Sequence, residues 1–209
     1  VNEEEGRQQL AAVGRLAYDR RLTFGSGGNI SCRLDEGTML ITPSGTCKGL
    51  LRPEQMIRVD LETGEFVGTK RPSMETPFHS GIYRARPEVG AIIHCHPLSC
   101  TVLAVLNRRL RTALTPEGLL VLSDYVPLVE YGTPGSDDLA EKLVRQLGAS
   151  NACLMQGHGA LATGRDLLDA FNRMETMEYL ATLQLRAEEV GEPEDLPEQE
   201  VAHILSMTK

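Results

Sequence analysis

The chain lacks any run of ~18 to 20 apolar residues, the length a helix needs to cross a bilayer, so a helical membrane span is excluded. Its five cysteines, at 32, 47, 95, 100 and 153, form no C-x-x-C pair. An odd number without pairing favours reduced thiols over a disulfide framework. Basic charge is also scarce: 21 Lys and Arg stand against 29 Asp and Glu, a net charge of -8, and no basic cluster is interleaved with aromatics. Such a balance opposes a phosphate polymer, and no nucleic-acid partner is expected. The opening Val1-Asn2-Glu3-Glu4-Glu5 has neither a basic nor an apolar leader character, so the expectation is a soluble, cytoplasmic protein. Internal repeats and low-complexity linkers are missing too. With 41% hydrophobic content over 209 residues, a full core can form, and a single domain over 1–209 is expected.

Helix and strand signals alternate along the chain. Leu10, Val13 and Ala17 recur at helical spacing, predicting an amphipathic helix over roughly 3–20. Ile30 to Leu34 and Met39 to Thr42 flank Asp35-Glu36-Gly37, a hairpin pattern that Ile57 to Leu61 and Glu65 to Val67 repeat around Glu62-Thr63-Gly64. Thr76-Pro77 opens a helix carrying Phe78, Ile82 and Tyr83. A strand over Ala91 to His96 follows, then a helix over Leu98 to Leu106. Ser136-Asp137-Asp138 caps a helix with Leu139, Leu143 and Leu147 that Gly148 ends. Asn151 to Met155 reads as a buried strand broken by Gly157-His158-Gly159. The last long helix starts near Asp166, and its methionines read as core filling. Residues 191–209, rich in Glu and Pro at their start, read as an exposed arm with a short helix near Glu198 to Leu205.

Chemistry first shows in His94-Cys95-His96. An extended strand sends alternate side chains to one face, so the two imidazoles point the same way and Cys95 points opposite, into a core. Imidazole is the commonest ligand for borderline divalent metals, although two histidines at a strand end can equally be ordinary polar surface. His158, on a glycine-flanked turn at another strand end, adds a third ring. Three histidines without paired cysteines suit a catalytic site, which takes three protein ligands and keeps a position open, better than a closed structural one. His79 and His203 have helical surroundings and read as surface or satisfied helix residues.

Five segments together resemble a known family: Gly25-Ser26-Gly27-Gly28-Asn29-Ile30-Ser31, Ile41-Thr42-Pro43-Ser44-Gly45, Pro72-Ser73-Met74-Glu75, His94-Cys95-His96 and Gln156-Gly157-His158-Gly159. In order and spacing they are similar to the class II aldolases of the fuculose phosphate aldolase and ribulose phosphate epimerase type, a divalent-metal sugar-phosphate group. The resemblance spans about residues 10 to 190. It implies an α/β fold of three layers, αβα, with a central, largely antiparallel sheet, assembled as a homotetramer with active sites at subunit interfaces.

The resemblance further implies that His94, His96 and His158 ligate the metal and that Glu75 is a fourth ligand or the acid/base residue. Zinc is the first choice of ion, with manganese, cobalt and iron also suited to such ligands. A cation that polarises a ketose phosphate at its carbonyl and adjacent hydroxyl would stabilise the enediolate left by carbon–carbon cleavage, and a carboxylate must then move a proton at carbon. Taken without the resemblance, Glu75 reads as a solvated carboxylate favoured near a helix N-terminus. Gly28, Asn29, Ser44, Gly45 and Ser73 match the family's phosphate-binding positions, and glycine-rich turns with short hydroxyls can converge N–H groups on phosphate; the same turns are also common as plain connections. Lys48 stays outside this set, since most lysines are solvated.

The expected activity is cleavage of a ketose 1-phosphate to dihydroxyacetone phosphate and an aldehyde. Two departures from the fuculose phosphate pattern bear on it. Met74 replaces a second serine beside Ser73. Thr115 stands near the place of a tyrosine, and no tyrosine follows Tyr179, although the family's tyrosines serve the aldehyde oxygen; Tyr125, Tyr131 or water are the substitutes open to it. Sugar-acid phosphate decarboxylation and thioribulose phosphate dehydration are the alternatives on the same scaffold. A non-catalytic binding domain like the adducin head is a third, which the retained histidines and Glu75 oppose.

Overall fold

The computed structural model describes residues 2–207. Helix α1 (Glu3–Asp19) begins where Asn2 accepts the Glu5 N–H through its side chain, and Glu3, Glu4 and Glu5 place negative charge on its N-terminal turn. Strands β1 (Asn29–Arg33) and β2 (Thr38–Ile41) form the first hairpin, and β3 (Ile57–Asp60) with β4 (Phe66–Val67) forms the second. Asp60 Oδ1 accepts from the Glu62 and Thr63 N–H groups and folds the second turn back. Both hairpins lie where the alternation of apolar residues and the Gly-containing turns place them.

Helix α2 (Thr76–Ala85) leads into β5 (Ala91–Cys95), then α3 (Leu98–Val105), α4 (Pro116–Leu122) and the short β6 (Leu128–Val129). Helix α5 (Asp137–Leu147) starts on the Ser136 cap and stops at Gly148, whose φ of +55° suits glycine. Strands β7 (Ala152–Met155) and β8 (Gly159–Gly164) make a third hairpin, closed by Gln156-Gly157-His158. The 24-residue α6 (Leu167–Val190) and α7 (Glu198–Ser206) complete the chain.

Among the described residues, eight strands form one sheet in the order β4-β3-β2-β1-β5-β8-β7-β6. Pairing is antiparallel except between β6 and β7. Alternation along β5 assigns the two faces: Ile92 packs with α2 and α5, through Phe78, Ile82, Leu139 and Leu143. Ala91, Ile93 and Cys95 pack on the other side with α1, α3, α4 and α6. The layers are therefore helix, sheet, helix, as expected. Met174 and Met177 of α6 are fully buried core, and Cys95 is as well, which agrees with its sequence position.

Three elements were not read from the sequence. β8 escapes because Gly159-Ala-Leu-Ala-Thr-Gly164 is buried on both faces and shows no polar alternation. α4 is only seven residues long, and β6 only two. Helix α7 has no buried residue, while the segment before it is tied down by the Arg111–Asp195 ion pair at 2.9 Å and by Leu196 N–H donating to Ala113 O. No helix among the described residues is long and apolar enough to cross a membrane.

Ile93 is fully buried at the centre of the sheet. Ile93→Ala should lower unfolding free energy by about 2–5 kcal/mol in urea titration, whereas Leu168→Ala, exposed on α6, should change it by less than about 0.5 kcal/mol.

Candidate active site

The pairing of β1, β5 and β8 builds the site. His94 sits opposite Asn29 of β1 and Leu161 of β8. Two glycines permit this close pairing. A Cβ on Gly28, whose φ is +70°, would lie 2.5 Å from His94 O, and one on Gly159 would lie 2.5 Å from Cys95 O and 2.7 Å from the His96 ring. Only glycine lets the β1 loop and the β8 strand approach the histidine strand this closely.

His94, His96 and His158 converge. One nitrogen from each ring lies within 4.8 Å of the others, and the ring centroids are 4.7–5.2 Å apart. His94 Nε2 and His96 Nε2 are 3.1 Å apart. His94 Nδ1 lies 2.9 Å from Ala160 O; a carbonyl only accepts, so Nδ1 carries a hydrogen, and Nε2 is the nitrogen that faces the other rings. Burial, and then the neighbouring His94, lower His96 to about 3 and His158 to about 4. Both rings are therefore neutral near pH 7 and free to ligate.

Glu75 joins them. It is the residue before α2, yet its side chain makes no helix-capping bond; its own N–H donates to Ser73 Oγ at 3.2 Å. The carboxylate is 5% exposed and turns inward, Oε2 to 3.2 Å from His94 Nε2 and Oε1 to 3.5 Å from His158 Nε2. A solvated carboxylate serving the helix is thus ruled out. Burial raises its pKa, but the His94 imidazole, the Asn29 amide and His158 outweigh burial and hold it well below the usual carboxylate range.

These groups fit a cation on their own chemistry. Ring lone pairs and a carboxylate, all electron-rich, face one another in a buried space, and Glu75 Oε1 and His158 Nδ1 are buried without any hydrogen-bond partner. Positive charge among them would compensate both the repulsion and the lost hydration.

Behind Glu75 runs a buried chain that sequence reasoning missed. Asn29 Nδ2 donates to Glu75 Oε2 at 2.7 Å. Asn29 Oδ1 must therefore accept, and it takes the His79 Nε2–H at 2.5 Å. His79 Nδ1 then accepts from Ser31 Oγ at 2.7 Å, and Ser31 Oγ accepts from the Tyr83 hydroxyl at 2.9 Å. His79, read from sequence as a surface or satisfied helix residue, is the satisfied kind and wholly buried. Its position one helical turn after Glu75, on the same face of α2, was the available signal.

The expected anion-binding positions meet the histidines at one cavity of about 380 Å³, lined by Gly28, Asn29, Ser44, Gly45 and Ser73 together with Glu75, His96 and His158. Asn29 has one Nδ2 hydrogen left for a ligand after serving Glu75 and His79. Lys48 lines the cavity too and is 1% exposed, contrary to the solvated role that lysines usually take. Met74, in place of the expected serine, is also on the wall. Tyr131 packs against Gly157 beside His158, whereas Tyr125 lies under the Arg109 guanidinium, 5.5 Å from it. His203, on α7, is exposed.

Residues 8–185 match the family described as Class II Aldolase and Adducin N-terminal domain. The 3-oxo-tetronate 4-phosphate decarboxylase of Pectobacterium atrosepticum is 36% identical over 185 residues, 87% of this chain and 84% of that one. The 5-methylthioribulose-1-phosphate/5-deoxyribulose-1-phosphate aldolase of Rhodospirillum rubrum is 36% identical over 203 residues, 97% of this chain and 90% of that one. A solved L-fuculose 1-phosphate aldolase superposes with a TM-score of 0.90 at 33% identity, covering 97% of this chain and 95% of the other. The chain belongs to the class II aldolase and adducin N-terminal domain family, and it is an enzyme of the class II aldolase superfamily.

His79 gives a pH signature. Burial lowers it from 6.5 to about 3, so between those values the unfolded chain binds a proton that the folded one refuses. Its stabilisation is complete above pH 6.5 and is lost as pH falls toward 3. In chelated protein the unfolding free energy of His79→Gln from urea titration should fall less steeply from pH 6.5 to 4, by up to about 1.4 kcal/mol per pH unit; parallel slopes would refute the assignment.

Proposed function

We propose that the chain is a divalent-metal-dependent carbon–carbon lyase that cleaves a ketose 1-phosphate to dihydroxyacetone phosphate and an aldehyde. The observation that carries this reading is a buried carboxylate among three imidazoles, at a cavity that residues of two phosphate-suited loops also line. A cavity of about 380 Å³ falls in the range of small-ligand sites, roughly 300–1,000 Å³.

His94, His96 and His158, with Glu75 beside them, would hold the cation, zinc being the first choice and manganese, cobalt or iron the others. Bound there, a divalent cation supplies positive charge where negative charge develops on the substrate's carbonyl and hydroxyl oxygens. Ser44, Gly45, Gly28, Ser73 and the spare Asn29 N–H hold the phosphate and fix the reacting carbons near Glu75. As the bond breaks, its electron pair moves toward the carbonyl to leave an enediolate, and the departing hydroxyl passes its proton to water in the cavity as it becomes the aldehyde. Glu75, ionised at rest, takes a proton from that water and delivers it to the enediolate carbon. Oε2 is held by Asn29 while Oε1 accepts no hydrogen bond, so Oε1 is the oxygen assigned to this transfer.

Decarboxylation of a 3-oxo sugar-acid phosphate is the second reading, and a particular observation favours it. Among the described residues no tyrosine lines the cavity, and loss of carbon dioxide leaves an enediolate without any hydroxyl proton to remove. The similarity to the Pectobacterium decarboxylase points the same way. For the working form we favour a homotetramer with sites between subunits. Phe24, Met74 and Tyr131 are large, more than half exposed and near the cavity, and a second copy would cover them.

Metal-loaded and chelated enzyme should be incubated with ketose 1-phosphates and 3-oxo sugar-acid phosphates. Chelator-sensitive release of an aldehyde together with dihydroxyacetone phosphate from a ketose 1-phosphate is the expected outcome; carbon dioxide without an aldehyde establishes the second reading, since a four-carbon 3-oxo acid phosphate also leaves dihydroxyacetone phosphate, and release of neither aldehyde nor carbon dioxide refutes both. Glu75→Gln should retain metal by elemental analysis and lose about 10²–10⁴-fold in kcat. His94→Ala should instead lose the metal.

A further inference from the structure

Lys48 opens the short 3-10 turn Lys48–Leu50, and its ammonium is buried between the two loops that face the histidines. Nζ donates to Ser26 O of the glycine-rich loop at 3.0 Å and to Thr46 O of the Ser44-Gly45 turn at 2.7 Å. Among the described residues no carboxylate forms an ion pair with it. The ionisable groups that bear on it are the Cys95 and Cys47 thiols and the His96 imidazole; burial keeps Cys95 neutral by pushing its pKa to about 12, and His96 is neutral near pH 7, so neither of these two supplies negative charge. The result is a buried cation with no counter-charge, its third hydrogen uncommitted, on the wall of the cavity.

Proteins seldom leave a buried charge unmatched. The carbonyl dipoles of Ser26 and Thr46 offset part of the lost hydration but do not neutralise the charge. Burial lowers the Lys48 pKa, the direction that a negative ligand would reverse. We propose that Lys48 is the charged determinant that selects a phosphate group in this cavity: it ties the two loops together through two carbonyls and offers its third hydrogen and its charge to the phosphate. The proposal rests on the sugar-phosphate reading above for its substrate class. It goes beyond that reading by assigning the anion's charge partner to a residue outside the glycine- and serine-containing loop segments.

The test uses the metal-loaded full chain and inorganic phosphate, so no turnover is needed. Lys48→Gln keeps hydrogen-bond donors for the loop carbonyls and removes the charge; Lys48→Met removes both. Both should retain metal by elemental analysis and weaken phosphate binding in calorimetric titration by about tenfold or more, with a shallower salt dependence. With a turned-over substrate, KM should rise more than kcat falls, and dihydroxyacetone should compete equally well against wild type and variants while dihydroxyacetone phosphate should not. Unchanged phosphate affinity in Lys48→Gln would overturn the proposal. Should both variants fail to fold, nitrogen-15 lysine spectra of the wild type decide it: phosphate should shift the Lys48 ammonium signal, and an unmoved signal would overturn it. Lys48-dependent phosphate binding without any lyase product removes the reaction and keeps this inference; lyase activity with Lys48-independent phosphate binding does the reverse.

Discussion

The molecule is organised around the exclusion of water from a set of electron-rich groups. His94 and Glu75 are buried, and His96 and His158 are largely so. Groups of this kind do not gather in a low-dielectric interior by their own attraction. They are held there by the sheet, whose central pairings of β1 with β5 and of β5 with β8 fix His94 against Asn29 and Leu161, and by the packing of α2 and α5 on one face. The backbone spends its rigidity on a site that the side chains alone would push apart.

That division of labour explains what could be read from the sequence. The His94-Cys95-His96 alternation follows from strand geometry alone, so its outcome, two rings inward and a thiol in the opposite core, was legible. The helix at Asp137–Leu147 was legible because Ser136, the leucine spacing and Gly148 all agree. β8 was not: a strand covered on both faces by α6 and α2-side packing loses the alternation that identifies a strand, and its glycines and alanines carry no β preference. The role of its first residue, Gly159, depends on a contact with Cys95 that only the folded sheet creates.

The site was legible in its ligand-type residues and much less so in its supports. Glu75 on sequence alone was a helix-end carboxylate, and only its missing cap and its burial decide otherwise. His79 had no partner in the sequence because its partners, Asn29 and Ser31, lie on a strand far away in the chain. Lys48 was passed over for the general reason that lysines face solvent; its burial arises because α1 and the turn at Lys48–Leu50 pack closely, Gly14 lying against the Lys48 carbonyl.

The buried chain from Tyr83 to Glu75 has a further consequence. Its hydrogens all point one way, and its link nearest the carboxylate is the Asn29 amide, a group that neither gains nor releases a proton under ordinary conditions. An array of hydroxyls and rings could conduct a charge toward the interior; an amide inserted at this position is an insulator. No proton therefore reaches the Glu75 carboxylate from behind, through Asn29, and the protein core on that side can hold the group in place without ever titrating it.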